Sequence, residues 1–121
     1  MYRLSIQTSV SAAHYLRNYR GACERMHGHN WKIETVVESE QLDRSDMVLD
    51  FKDLNDITWK VVGKFDHQVF NEVPPFDELN PTAENLARYF YREINKLLPQ
   101  GIKVAKIKLW ETDRYCLEYS E

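Results

Sequence analysis

The stretch Cys23-Glu24-Arg25-Met26-His27-Gly28-His29-Asn30-Trp31-Lys32-Ile33-Glu34-Thr35-Val36-Val37 decides how this chain is read. From His27 onward the odd positions carry His27, His29, Trp31, Ile33, Thr35 and Val37, while Asn30, Lys32, Glu34 and Glu38 take even positions. A two-residue period is that of a strand with one buried face. A half-buried strand is therefore expected over residues 27–39, with both histidines on the side of Trp31 and Ile33. His-x-His on one strand face suits a single metal ion held by two imidazoles. Cys23 stands too far from the pair to be read automatically as a third ligand.

Working outward, residues 2–14 repeat the period. Tyr2, Leu4, Ile6, Thr8, Val10 and Ala12 form one row, and His14 extends it at the far end. The aperiodic stretch 15–26 is a loop of moderate length, so the two strands are expected to pair antiparallel and to bring His14 beside His27 and His29. Downstream, residues 40–49 are a polar connector. Asp50 is placed to cap a helix, with Asp53 in its first turn and Phe51, Leu54, Ile57, Thr58, Val61 and Val62 at helical spacing to about Lys64. Asp66-His67 follows directly. Residues 71–81 are loop by their Asn and Pro content. A second helix begins at the capping residue Thr82, lines one face with Leu86, Phe90, Ile94 and Leu97, and stops at Pro99 and Gly101. A terminal hairpin follows: alternation over 103–111, a turn at 112–114, and alternation again over 115–119. In it Glu111 shares a face with Ile107 and Leu109, which is unfavourable for a carboxylate without a partner.

The order β-β-α-α-β-β predicts one α+β domain over residues 1–121, an antiparallel four-stranded sheet with two helices on one face. The chain has 121 residues, 43% hydrophobic and 29% charged, within the range of a globular domain able to bury one core. A net charge of −3 gives no reason to expect a nucleic-acid or membrane partner. The first residues lack the pattern of a signal peptide, so a cytoplasmic protein is expected, with Cys23 and Cys116 as free thiols. With four glycines and no Gly-rich run, no phosphate loop or dinucleotide fingerprint is present.

A lone histidine on an apolar face is ordinarily a hydrogen-bonded core residue. Three of them, His14, His27 and His29, at matching ends of two partner strands make a three-nitrogen metal site with an open position, for which zinc is the preferred ion. Cys23 then has three readings: a fourth ligand closing a structural site, a thiolate acting as base or nucleophile, or an inert thiol. Asp66-His67 is either an acid/base pair or a histidine bonded to the last carbonyls of the preceding helix. Glu24 reads as a solvated loop charge, and inward-facing Glu111 as a ligand-binding group.

Together, Ala12-Ala13-His14, Cys23-x-x-x-His27-Gly28-His29-Asn30, Phe65-Asp66-His67, Asn80-Pro81-Thr82-Ala83-Glu84-Asn85-Leu86 and Trp110-Glu111-Thr112 resemble the 6-pyruvoyl-tetrahydropterin synthase family over about residues 2–119. Three residues separate Cys23 from His27, a spacing similar to the branch that forms 6-carboxy-5,6,7,8-tetrahydropterin for queuosine (7-deazaguanine) biosynthesis. The resemblance implies a tunnelling fold and a homohexamer built as a dimer of trimers with active sites between subunits. It implies a zinc-dependent carbon–carbon/carbon–oxygen lyase acting on 7,8-dihydroneopterin triphosphate. His14, His27 and His29 would hold Zn2+, and Cys23 would be the general base with His67, oriented by Asp66, as its counterpart. Glu111 would bind the pterin ring, assisted by Thr82. Arg17, Arg20 and Arg25 are candidates for the triphosphate. Glu24 beside Cys23 departs from the carboxy-forming pattern, because Glu-x-x-His-Gly-His resembles a side-chain-cleaving aldolase type giving 6-hydroxymethyl-dihydropterin for folate. Two alternatives therefore stand beside the synthase: that aldolase or a dual enzyme, and a non-catalytic, zinc-stabilised pterin-binding protein.

Overall fold

The computed structural model describes residues 1–121. Its elements are β1 (Tyr2–His14), β2 (His27–Ser39), α1 (Phe51–Val62), β3 (Gln68–Val69), α2 (Ala83–Leu97), β4 (Lys103–Thr112) and β5 (Tyr115–Tyr119). β1 and β2 pair antiparallel over their whole length, from Tyr2 opposite Ser39 to His14 opposite His27. β4 joins the far side of β2 and β5 joins β4, both antiparallel.

The sheet has five strands, in the order β3-β1-β2-β4-β5, where four were expected. The extra strand is the two-residue β3, which runs parallel to β1 at Ala12 and Ala13. Two residues carry no period, so the sequence pattern has no means of displaying it. The rest of that edge of β1, and all of β5's outer edge, is unpaired within the chain.

Both helices form where their caps and apolar spacing place them. Asp50 accepts from the Lys52 N–H at the start of α1, and Thr82 accepts from the Asn85 N–H at the start of α2. They cover one face of the sheet. Leu54, Val61 and Val62 from α1 and Leu86, Phe90 and Ile94 from α2 bury against Val10, Trp31, Ile33, Val37, Ile107 and Leu109. Two expected face residues stay out of this core: Phe51 is 60% exposed and Leu97 is 47% exposed. Each sits in a terminal helical turn. Between helix and sheet the buried Thr58 hydroxyl meets that of Thr35 at 3.2 Å, and Tyr91 donates to the Val104 carbonyl at 3.0 Å. No helix is long and apolar enough to cross a membrane.

Two irregularities interrupt the strand alternation. A register shift between Val36 and Val37 accounts for the consecutive burial of Thr35, Val36 and Val37. A second lies between Trp110 and Thr112: Trp110 faces Cys116 and Thr112 faces Tyr115, so Glu111 is the inserted residue of a bulge.

Candidate functional site

The site forms where β1 ends and β2 begins. His14 and His27 are directly opposed across the ladder, and His29 is opposite Ala12. The even row of β1 and the odd row of β2 point to the same face, so all three imidazoles converge. Their ring centroids lie 4.7 Å (His14 to His27), 4.8 Å (His27 to His29) and 5.6 Å (His14 to His29) apart. Trp31 floors the cluster, its ring edge-on to His14 and His29 at 5.0 and 5.3 Å, with its indole N–H held by the Ala12 carbonyl.

Backbone carbonyls set the tautomers. His14 Nδ1 lies 2.9 Å from the Pro81 carbonyl, and His27 Nδ1 lies 2.9 Å from the Arg25 carbonyl. A carbonyl oxygen can only accept, so each Nδ1 carries the proton and each Nε2 presents its lone pair. Those two Nε2 atoms face one another at 3.1 Å. Burial also pulls the His14 pKa below the ordinary histidine value, which favours the neutral ring a metal needs.

The fourth member of the cluster is Glu111. Its Oε1 is 3.0 Å from His29 Nε2, and one ligand-type atom from each of His14, His27, His29 and Glu111 lies within 4.8 Å of the others. His29 Nε2 is nonetheless buried without a hydrogen bond. The carboxylate oxygen is near it but off the direction a ring N–H requires. Two opposed lone pairs, one orphaned nitrogen and one carboxylate fit a shared cation, and the N,N,N,O donor set suits zinc or a neighbouring transition metal. The sequence pattern placed Glu111 on the inward row; the bulge that aims it at His29 is not visible in sequence.

The other candidates lie outside this cluster. Cys23 is exposed in the loop before His27. Glu24 is its better-anchored neighbour: its N–H donates to the Leu16 carbonyl at 2.9 Å, its Oε1 accepts from the Leu16 N–H at 3.4 Å, and that oxygen stands 3.9 Å from His27 Nδ1. Thr82 is spent as a helix cap, yet the carbonyl before it, that of Pro81, is the one that holds His14.

Asp66 and His67 form a pair, with Oδ2 and Nδ1 3.1 Å apart, rather than binding the preceding helix's carbonyls. The Ser11 N–H donates to Asp66 Oδ1 at 2.9 Å, and the His67 N–H donates to the Ser11 carbonyl. That bond to Ser11 holds the Asp66 carboxyl below its usual pKa. His67 adopts a left-handed backbone at φ 59° and is 80% exposed at its side chain. It borders a shallow depression lined by Ser11, Ala12, Ala13, Gly28, His29 and Asn30, among which the side chains of Ser11, Ala13 and Asn30 alternate away from the three histidines. Within one chain His67 borders the face from which Ser11 and Asn30 project and is not a member of the histidine cluster.

Of the three arginines considered for triphosphate, Arg17 is committed to structure. Its guanidinium donates to the carbonyls of Leu79, Phe76, Asp77 and Asn71. Asn71 and Asn80 complete this seam by pairing through their amides with the backbone of Tyr15 and Arg17. Arg20 and Arg25 remain exposed. The Asn and Pro content of 71–81 indicates only a loop, and this seam has no signature in the sequence.

Known proteins resemble this chain in sequence and in fold. A dihydroneopterin monophosphate aldolase of Pyrococcus furiosus is 33% identical over 116 residues, covering 96% of this chain and 95% of the relative. A 6-carboxy-5,6,7,8-tetrahydropterin synthase of Aquifex aeolicus is 32% identical, covering 82% of this chain and 76% of the relative. The solved 6-pyruvoyl tetrahydropterin synthase of Caenorhabditis elegans superposes with a TM-score of 0.82 at 22% identity, over 99% of this chain and 95% of that one. Residues 3–121 match the family model of 6-pyruvoyl tetrahydropterin synthase, and the chain belongs to that family.

Proposed function

We propose that this chain is a zinc-dependent lyase converting 7,8-dihydroneopterin triphosphate to 6-carboxy-5,6,7,8-tetrahydropterin, a step of queuosine biosynthesis carried out in the cytoplasm. The observation that carries the reading is the convergence of three imidazoles on one face, with a carboxylate beside them and a thiol in the loop that leads in. His14, His27 and His29 would hold the ion. When bound, it supplies a Lewis acid that stabilises negative charge developing on the substrate's side-chain oxygens. Cys23, exposed at the entrance, takes a side-chain proton as thiolate. Glu111 accepts two parallel hydrogen bonds from the amino and ring N–H groups of the pterin, with Thr82 nearby.

His67 is the counterpart acid/base. Its Nδ1 pairs with Asp66, which leaves Nε2 to exchange a proton with the substrate. Because His67 borders the opposite face of the sheet, it serves the cluster of a neighbouring subunit. The open edges of β1 and β5 support assembly by strand pairing, and we propose the hexamer, a dimer of trimers.

A second reading has its own support. Glu24 is anchored facing His27 while Cys23 beside it is exposed, and the Pyrococcus relative is named an aldolase. With Glu24 as base, the product would be 6-hydroxymethyl-dihydropterin. Product analysis with 7,8-dihydroneopterin triphosphate decides among the readings, using wild type, Cys23→Ala and Glu24→Ala. A 6-carboxy product lost only in Cys23→Ala supports the first. A 6-hydroxymethyl product lost in Glu24→Ala replaces it with the second. No product from wild type leaves the chain as a pterin-binding protein.

A further inference from the structure

Glu111 has no hydrogen-bond donor from within the chain, although its side chain is only 33% exposed. A half-buried carboxylate in that state needs a positive or proton-donating partner. Two partners are within its reach. One is the histidine cluster, against which Oε1 already rests at 3.0 Å from the unbonded His29 Nε2. The other, on the function proposed above, is the amino and ring N–H edge of the pterin. Planar two-bond recognition of that edge needs both carboxylate oxygens turned toward the ligand. With Oε1 aimed at the cluster, the carboxylate serves one partner or the other.

The bulge gives it the means to alternate. Trp110 and Thr112 keep their ladder partners, Cys116 and Tyr115, whereas Glu111 between them has none. Its side chain is thereby released from the strict alternation of the strand, as bulges near functional sites do. Trp31 beneath His14 and His29 is wholly buried and held by the Ala12 carbonyl. His14 and His27 are each held at Nδ1 by a backbone carbonyl, whereas the Glu111 carboxylate has no such bond.

We infer that Glu111 is an exchangeable member of the metal cluster: it fills the fourth position while substrate is absent and leaves it for the pterin ring when substrate binds. Recognition of the ring at one end of the substrate then opens the cluster to the substrate's side chain at the other. This rests on the pterin reading above for its second partner, but not for its first.

Full-length wild type and Glu111→Gln are titrated with Zn2+ against a chromophoric chelator and, separately, with Co2+ followed by its visible absorption. Pterin without a C6 side chain is then added to the Co2+ forms, its binding followed by quenching of its own fluorescence. Removing even an outer-shell partner of a metal ligand weakens binding about 10–100-fold, so Glu111→Gln is expected to weaken Zn2+ by at least ~10-fold and to change the Co2+ spectrum. Pterin should shift the wild-type Co2+ spectrum toward that of the variant. Whether pterin moves the wild-type Co2+ spectrum at all is read on wild type alone and does not depend on the variant folding. Equal Zn2+ affinity and identical Co2+ spectra for the two proteins would overturn the place of Glu111 in the cluster. Pterin that binds wild type without moving its Co2+ spectrum would overturn the exchange and leave the pterin reading intact. Pterin that does not bind at all would overturn the pterin reading, and the exchange with it, while a weakened metal in Glu111→Gln would still place the carboxylate in the cluster.

Discussion

The carbonyl of Pro81, one residue before the cap of α2, accepts the Nδ1 proton of His14 at the end of β1. A loop-to-helix junction thereby fixes which nitrogen a strand residue offers to the cluster. The junction is itself held by Asn80, whose side chain pairs with both the N–H and the carbonyl of Arg17. Asn80→Ala should release the Pro81 carbonyl and lower Zn2+ affinity by roughly 10-fold. Competition with a chromophoric chelator on folded protein measures this, and an unchanged affinity would show that the ring needs no such support.

Arg17 differs from Arg20 and Arg25 in being bonded within the chain. Its guanidinium reaches four carbonyls through its two terminal nitrogens, which a lysine cannot match. Arg17→Ala should cost about 1.5–3 kcal/mol, the usual worth of hydrogen bonds to a charged group, read as a shift in urea midpoint. Arg20→Ala, on an exposed side chain, should leave that midpoint in place.

Cys23→Ala should retain metal at wild-type stoichiometry, because the thiol lies outside the four-residue cluster. Turnover should fall by about 10²–10⁴, the range for loss of a positioned general base. Metal analysis alongside a product assay tests both halves. Expulsion of the metal would make Cys23 a ligand.

Acid stability should depend on Asp66. The Ser11 N–H bonds its carboxylate in the folded chain only, so the folded pKa lies below the unfolded one. A depressed carboxyl adds stability that is complete above about pH 4 and disappears as pH falls through the folded value. Urea midpoints measured from pH 6 down to pH 2.5 should therefore drop less steeply in Asp66→Asn than in wild type. Parallel curves would mean the Ser11 bond survives unfolding or contributes nothing.

Much of this architecture is legible in the sequence because burial imposes periods. Alternation marked β1 and β2 and the face their histidines share, and apolar spacing between Asp50 and Lys64 and after Thr82 marked both helices. The meeting of His14 with His27 follows from antiparallel pairing across a moderate loop. What escaped has no period. β3 is two residues long, the bulge at Glu111 is a single insertion, and the amides of Asn71 and Asn80 pair with backbone just past the end of β1. Charge makes Arg17 an anion-binding candidate in the sequence, where the carbonyls that consume it are not visible. Asp66-His67 was visible as a pair, but its side of the sheet depends on the same unseen β3.

The bonds between Leu16 and Glu24 act as a clasp at the neck of the loop between β1 and β2. Arg17 is tied to the Asn80 junction, but residues 18–23, including the tight turn at Tyr19 and Ala22, lie outside both that junction and the ladder that sets the histidines. Lengthening such a closed loop adds only about 0.6 kcal/mol per doubling. Descendants of this chain can therefore remodel that loop, and with it the reach of Arg20 and the approach to Cys23, without retuning the imidazoles. Selection can act on the loop and on the histidine frame separately, as on two parts joined by one hinge pin.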